Sequence, residues 1–281
     1  MLLFFGHHRC ASSWINDIFG AVSRELRLRY LTAHHPRIFD NDLQRFAEQQ
    51  SLDVIAYTNA DYQYVERLRD FRAFHVVRDP RDVSVSAYFS HLYSHRVDQE
   101  WPELEDRRRE LQELGKDEGL LREMEGLSWE FKCMRDWNYA HPHILEVKAE
   151  KLTENPYNHF LEVFRFLGLL DEQRFSLTRR MVYTLCRGVR AAESLGGGRI
   201  SLPGAPKRLP AERILGIVWE NDFSRKAGGR ERGREEPRSH YRKGVSGDWR
   251  NHFKAQHVAY FEEHYGDVLR KLRYEDGSGW G

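Results

Sequence analysis

Five short runs rich in β-branched and aromatic residues, Leu2–Phe5, Leu28–Thr32, Val54–Tyr57, Ala73–Val77 and Ile144–Val147, alternate along the chain with longer segments whose apolar residues recur at helical spacing. Strands separated by helices must be joined by crossovers, and crossovers generate a parallel sheet covered on both faces. The order therefore predicts an α/β fold, a parallel sheet flanked by helices. In its opening unit Trp14, Ile15, Ile18, Phe19, Val22 and Leu26 fall on one face of the first helix.

The chain has 281 residues, 40% hydrophobic and 13% aromatic, enough apolar surface to build one sizeable core. Residues 1–281 are read as a single domain. Lys plus Arg number 44 against 43 for Asp plus Glu, so no whole-chain field draws it to nucleic acid or anionic lipid, and any anion site must be local. The first residues lack the basic region of a signal peptide, and no run approaches the roughly 18 apolar residues of a membrane span. Cys10, Cys133 and Cys186 are odd in number and far apart, which disfavours a disulfide framework or a metal knuckle. The expected location is cytoplasmic, with no stable membrane insertion and reduced thiols. Asn155, Pro156 and Gly168 bracket one structural helix as cap, first residue and terminator. Residues 100–125 are charged with leucines at helical intervals, predicting a solvated helix or helix pair without chemistry. Residues 225–243 carry eight basic and three acidic side chains and almost nothing apolar, and are read as a mobile basic lid whose cations repel one another until an anion binds.

Chemistry concentrates in three segments. Gly6-His-His-Arg-Cys-Ala-Ser-Ser13 lies between the first strand and first helix, where free N–H groups favour an anion. It is a P-loop-like phosphate-binding loop, although an ordinary serine-capped turn fits the same residues. Ala11 replaces the second Walker glycine and Ser12 stands where the Walker lysine would be, which disfavours ATP or GTP. Arg9 is its only long cation. Cys10 lacks the arginine six residues on that a phosphatase nucleophile needs, since Asn16 is there, and is read as filler. The second segment, Arg78-Asp-Pro-Arg-Asp-Val-Ser-Val-Ser86, puts Arg78 at the carboxyl end of a strand and Ser86 on the following helix; a surface ion-pair network is the alternative. In the third, Arg242, Lys243 and Gly244 precede a second glycine, Gly247, so cations and amides can meet another anion.

Together the three segments resemble the sulfotransferases that use 3′-phosphoadenosine 5′-phosphosulfate (PAPS), in order and spacing from residue 3 to 253. The resemblance implies a three-layer sulfotransferase-like fold and transfer of the PAPS sulfonate to a hydroxyl of a small molecule, lipid or sugar, without metal, leaving the 3′,5′-bisphosphate PAP. It implies that Arg9, Ser12 and Ser13 hold the 5′-phosphosulfate. Arg78, Ser86, Arg242, Lys243 and Gly244 would hold the 3′-phosphate, and Trp14 and Phe223 would sandwich adenine. Family loops carry lysine at the position of Arg9; arginine keeps its proton, which suits charge stabilisation rather than acid catalysis. The family's Lys-x-His is absent, with Asn59 in the comparable segment, so His34 and His35 are the candidate bases, with Asp61 behind them. His7 and His8, inside the phosphate loop, are expected to orient the sulfonate but are poorly placed in sequence to meet an acceptor. A nucleotide or small-molecule kinase and a noncatalytic PAP-binding module are the alternative readings. Oligomeric state is not legible.

Overall fold

In a computed structural model, residues 1–97, 101–172 and 207–275 are described, together with Met181, Thr184, Leu185 and Gly188; Cys186 and residue 100 lie outside them. The elements run β1 (Leu2–Gly6), α1 (Ser12–Glu25), β2 (Tyr30–Ala33), α2 (Leu43–Gln49), β3 (Val54–Tyr57), β4 (Arg72–Val77), α3 (Pro80–Phe89), α4 (Leu104–Glu113), α5 (Lys116–Gly126), α6 (Ser128–Asp136), β5 (Ile144–Lys148), α7 (Ala149–Glu154) and α8 (Pro156–Phe166). Helices Ala211–Glu220 and Ala255–Lys271 follow. The five strands form one parallel sheet in the order β2-β3-β1-β4-β5.

The two-residue period of a strand explains the layering. Phe4, Phe74 and Val76 point to one face and pack with Ile15, Ile18 and Phe19 of α1, Phe160 and Phe164 of α8, and Ile214 and Ile217. Leu3, Phe5, Ile55 and Tyr57 point to the other face, against Leu43 and Ala47 of α2 and Trp137. Strand β3 is buried at every residue, as a strand covered on both sides must be. Asn155 caps α8, Pro156 opens it, and Gly168 follows its end at φ 73°, as expected. The charged segment is a helix pair, α4 and α5, with Leu104, Leu111 and Leu120 buried.

Two expectations change. Strand β2 begins at Tyr30 rather than Leu28, because the end of α1 claims the intervening residues: Leu28 N–H donates to Ser23 O, with Arg27 at φ 57°. The basic loop is also not a set of mutually repelling cations. Arg230 donates to the carbonyls of Arg234, Tyr241 and Arg242, Arg232 to Thr153 O and Asp222, and Arg242 pairs with Glu235. Carbonyls and carboxylates of the loop and of its neighbours, Thr153, Asp222, Asp17 and Asp248 among them, take up much of its charge.

Strands β1 and β4 are neighbours, yet the chain leaves β1 toward β2 and leaves β4 toward β5. This divergence opens a crevice at their carboxyl ends, where such sheets take ligands. The third motif is fastened there by Asp82, which is 1% exposed and accepts the N–H of Gly247 at 2.7 Å and of Trp249 at 2.9 Å. Arg81 ion-pairs with Asp79 and Glu275 and lies 4.0 Å over the Trp249 ring. Asp82→Ala strands two N–H groups and should lower unfolding free energy by about 3 kcal/mol in urea denaturation. A change below about 0.5 kcal/mol, the range of an indifferent surface substitution, would show that the fastening adds no stability.

Candidate functional site

The crevice opens into a cavity of about 930 Å³, and every residue expected from sequence at the nucleotide or as a base lies on its wall: Arg9, Ser12, Ser13, Trp14, His34, His35, Arg78, Ser86, Phe223, Arg242, Lys243 and Gly244. These come from five separate stretches of chain, and it is the sheet's switch point that collects them.

The loop after β1 is tightly formed. A side chain at Gly6 would put its Cβ 2.8 Å from Ser12 Oγ and 2.9 Å from Phe4 Cζ. Arg9 and Ala11 both adopt φ 62°, so Ala11 takes the left-handed conformation for which the Walker pattern has glycine. Such backbone strain, of order 1 kcal/mol per residue, gathers at ligand sites. Ser12 Oγ donates to His7 O at 3.2 Å, and Ser13 is exposed to the cavity. Cys10 is fully buried with Val77, Val83 and Ala87, and burial pushes its thiol up to about 12, the opposite of what a nucleophile needs.

Three guanidinium groups converge. Arg9 Nε donates to Ser86 Oγ at 3.1 Å, and its terminal nitrogens have no protein partner among the described residues. Arg78 donates to Arg9 O at 3.3 Å and stands 3.8 Å from Asp82. Arg242 is held by Glu235 and Asp248. Burial, then the charges of Arg78 and Arg242, lower the Arg9 pKa to about 10, so it stays cationic at neutral pH in a site that disfavours its charge. A bound anion would reverse that penalty.

Asp248 also pairs with Lys243. Burial raises its carboxyl, but hydrogen bonds from His252, Lys243, Asn251 and Arg242 outweigh this and hold it well below the usual range. Glu235, Asp248 and His252 come together as three potential metal ligands. Arg242 and Lys243 already neutralise the two carboxylates and would repel a divalent ion, so the cluster is better explained as a scaffold for those cations. Gly244, at φ 70°, lets the backbone pass under Phe223; a Cβ there would lie 2.5 Å from Phe223 Cδ2. Trp14 stands edge-on to Phe160 and donates its indole N–H to Asn221 O at 2.8 Å. Both aromatics are mostly buried and offer only part of their surface to the cavity.

His34 and His35 reach the cavity as expected, and the phosphate loop adds histidine contacts that the sequence did not announce. His34 and His35 are exposed at the cavity rim; Asn59 Nδ2 donates to His34 O, and His35 Nδ1 accepts Arg37 N–H. Asp61, expected behind them, has both carboxylate oxygens bonded to Gln63. Two histidine chains start in the phosphate loop. His7 Nε2 meets His75 Nε2 at 2.8 Å, and His75 Nδ1 meets Glu146 at 2.6 Å. His8 Nε2 meets His91 Nε2 at 2.9 Å, and His91 Nδ1 meets Glu123 at 2.7 Å. Sequence reading missed His75, His91, Glu123 and Glu146. The one available signal was the His7-His8 pair inside an anion loop, since Glu123 looks like any surface glutamate of a charged helix.

The sequence matches no family model and no curated protein. In fold the chain is similar to mouse sulfotransferase SULT7A1 solved with PAP, at 13% identity and a TM-score of 0.50 over 96% of this chain and 84% of that one. It also aligns with retinol dehydratase solved with androsterone and PAP, at 13% identity and a TM-score of 0.48 over 100% and 82%. The first likeness establishes the sulfotransferase-like α/β fold.

Cys10 should resist iodoacetamide in the folded protein, reacting at least about 100-fold more slowly than free cysteine, since burial denies it both access and the thiolate. Rapid alkylation at neutral pH would contradict the packing role.

Proposed function

We propose that the chain transfers the sulfonate of PAPS to a hydroxyl acceptor. The observation that carries this reading is the convergence of Arg9, Arg78 and Arg242 at the sheet's switch point, with the terminal nitrogens of Arg9 left for a ligand. A donor bearing anionic groups at both its 3′ and 5′ ends matches such divided charge. Arg78, Ser86, Arg242, Lys243 and the Gly244 backbone would hold the 3′-phosphate, Arg9, Ser12 and Ser13 the 5′-phosphosulfate, and Trp14 and Phe223 would border the adenine. The fold likeness to a sulfotransferase solved with PAP supports the same assignment.

Sulfuryl transfer requires in-line attack, stabilisation of charge on the sulfonate and leaving phosphate, and a group to take the acceptor's proton. Arg9 suits the second task, because a cation held by Ser86 in a half-buried loop acts where charge builds and needs little reorganisation. A kinase reading is weakened by Ser12 in place of the Walker lysine. The cavity wall extends past the residues assigned to the nucleotide to His95, Trp101 and Glu130, where an acceptor would lie beside the loop.

The test is transfer of labelled sulfonate from PAPS to a panel of phenols and alcohols in the presence of EDTA, with ATP and Mg²⁺ as the rival donor. Turnover with PAPS and none with ATP is expected. Arg9→Ala should reduce it by about 100-fold or more while changing PAP affinity far less. Phosphoryl transfer from ATP, or an Arg9→Ala variant of undiminished turnover, would contradict the reading.

A further inference from the structure

The two histidine chains differ in what their free ends face. His7 is 1% exposed and stands edge-on to both His75 and Trp137. His8 is only half-buried, borders the cavity beside His95 and Trp101, and has no protein partner at Nδ1 among the described residues. Behind it the chain ends on Glu123, 1% exposed, whose second oxygen lies 3.8 Å from Arg107.

We propose, resting on the sulfonate-transfer reading, that His8 is the general base that takes the acceptor's proton, with His91 and Glu123 as its positioning residues. The direction of the chain follows from donor and acceptor chemistry. A carboxylate only accepts, so the Glu123 contact requires the proton of His91 to be on Nδ1. Neutral His91 then presents a bare lone pair at Nε2, and the contact with His8 requires a proton on His8 Nε2. The lone pair of His8 is thereby left on Nδ1, the nitrogen that lacks a partner. An acceptor hydroxyl hydrogen-bonded there loses its proton to Nδ1 as its oxygen bonds to sulfur. The sulfur–oxygen bond to the 5′-phosphate breaks with its electron pair, which leaves on PAP. The positive charge formed on His8 is balanced through His91 by Glu123.

His8 also faces the charge of Arg9 on its own loop and His91 and His95 from the turn after α3. Glu123 of α5 and Arg107 of α4 stand behind His91, and Glu130 of α6, its carboxyl pushed up to about 7 by burial, borders the same cavity. Burial first, then His91, Arg9 and His95, hold the His8 pKa well below its ordinary value. The base is therefore unprotonated at neutral pH, and the rate should fall only at pH below the usual histidine range. His34 and His35 remain at the rim, where His35 has already used Nδ1 for Arg37.

Nitrogen-15 spectra of the full-length, histidine-labelled protein test the geometry without needing the acceptor. His8 should appear with Nε2 protonated and Nδ1 bare, and Glu123→Gln or His91→Phe should mix or reverse that tautomer. A proton on His8 Nδ1, as a doubly protonated His91 would impose, or a tautomer indifferent to both variants, overturns the proposal. With PAPS and 2-naphthol or water as acceptor, His8→Ala should slow transfer by about 100-fold, lose the acid limb of the pH profile and be partly rescued by added imidazole, with PAP affinity unchanged. Undiminished His8→Ala turnover, or an acid limb lost in His34→Ala or His35→Ala in its place, overturns the base assignment and leaves the nucleotide reading standing. A wild-type protein that does not bind PAP overturns that reading, and the proposal with it.

Discussion

Three guanidinium groups held together at one edge of a sheet are an electrostatic liability unless something anionic completes them, and the rest of the site is arranged around that fact. Arg78 leans on Asp82 and Arg242 on Glu235 and Asp248, whereas among the described residues Arg9 has only the hydroxyl of Ser86 as a side-chain partner. Buried like charges are stable only when paired, and the protein supplies counter-charge on the far side of two of the three. Among the described residues no carboxylate forms an ion pair with Arg9, and Glu123 acts on it only from a distance. The uncompensated charge therefore points into the cavity.

Holding that arrangement depends on ties between segments remote in sequence. Asp82 bonds the backbone of Gly247 and Trp249, and Arg81 stacks on the Trp249 ring, so the second and third motifs form one piece. Arg230 gathers three carbonyls of its own loop and Arg232 reaches Thr153, which brings the basic loop against the sheet edge. Positioning of this kind uses hydrogen bonds to fixed backbone, which do not reorganise when a ligand's charge arrives.

Strand β3 and the capped helix Pro156–Phe166 were legible in sequence because their signals are local: a fully apolar run of four residues, and a cap, proline and glycine at fixed offsets. The cavity-wall residues of the first two motifs were legible because each motif is short and follows a strand, β1 or β4, and those of the third because two glycines stand beside Arg242 and Lys243. Residues 28 and 29 were misread as strand because the terminating turn of α1 uses Arg27 at positive φ, which no glycine announces. The loop cations were misread because some of their partners are carbonyl oxygens, which composition does not count, and others are carboxylates outside the segment, Asp17, Asp222 and Asp248. The His8–His91–Glu123 chain was invisible for a different reason: its members lie 83 and 32 residues apart and meet only once the helix pair packs on the turn after α3. Charge patterning assigned Glu123 to solvent, and tertiary packing buried it.

The central claim, that the converging cations were built for a nucleotide phosphorylated at the 3′ position as well as the 5′, is tested most directly by calorimetric titration of the wild-type protein with PAP and with AMP. Charge-assisted hydrogen bonds of about 1.5 to 3 kcal/mol each from Arg78, Ser86, Arg242 and Lys243 should make PAP bind at least about tenfold more tightly. Equal affinities for the two nucleotides would contradict the account.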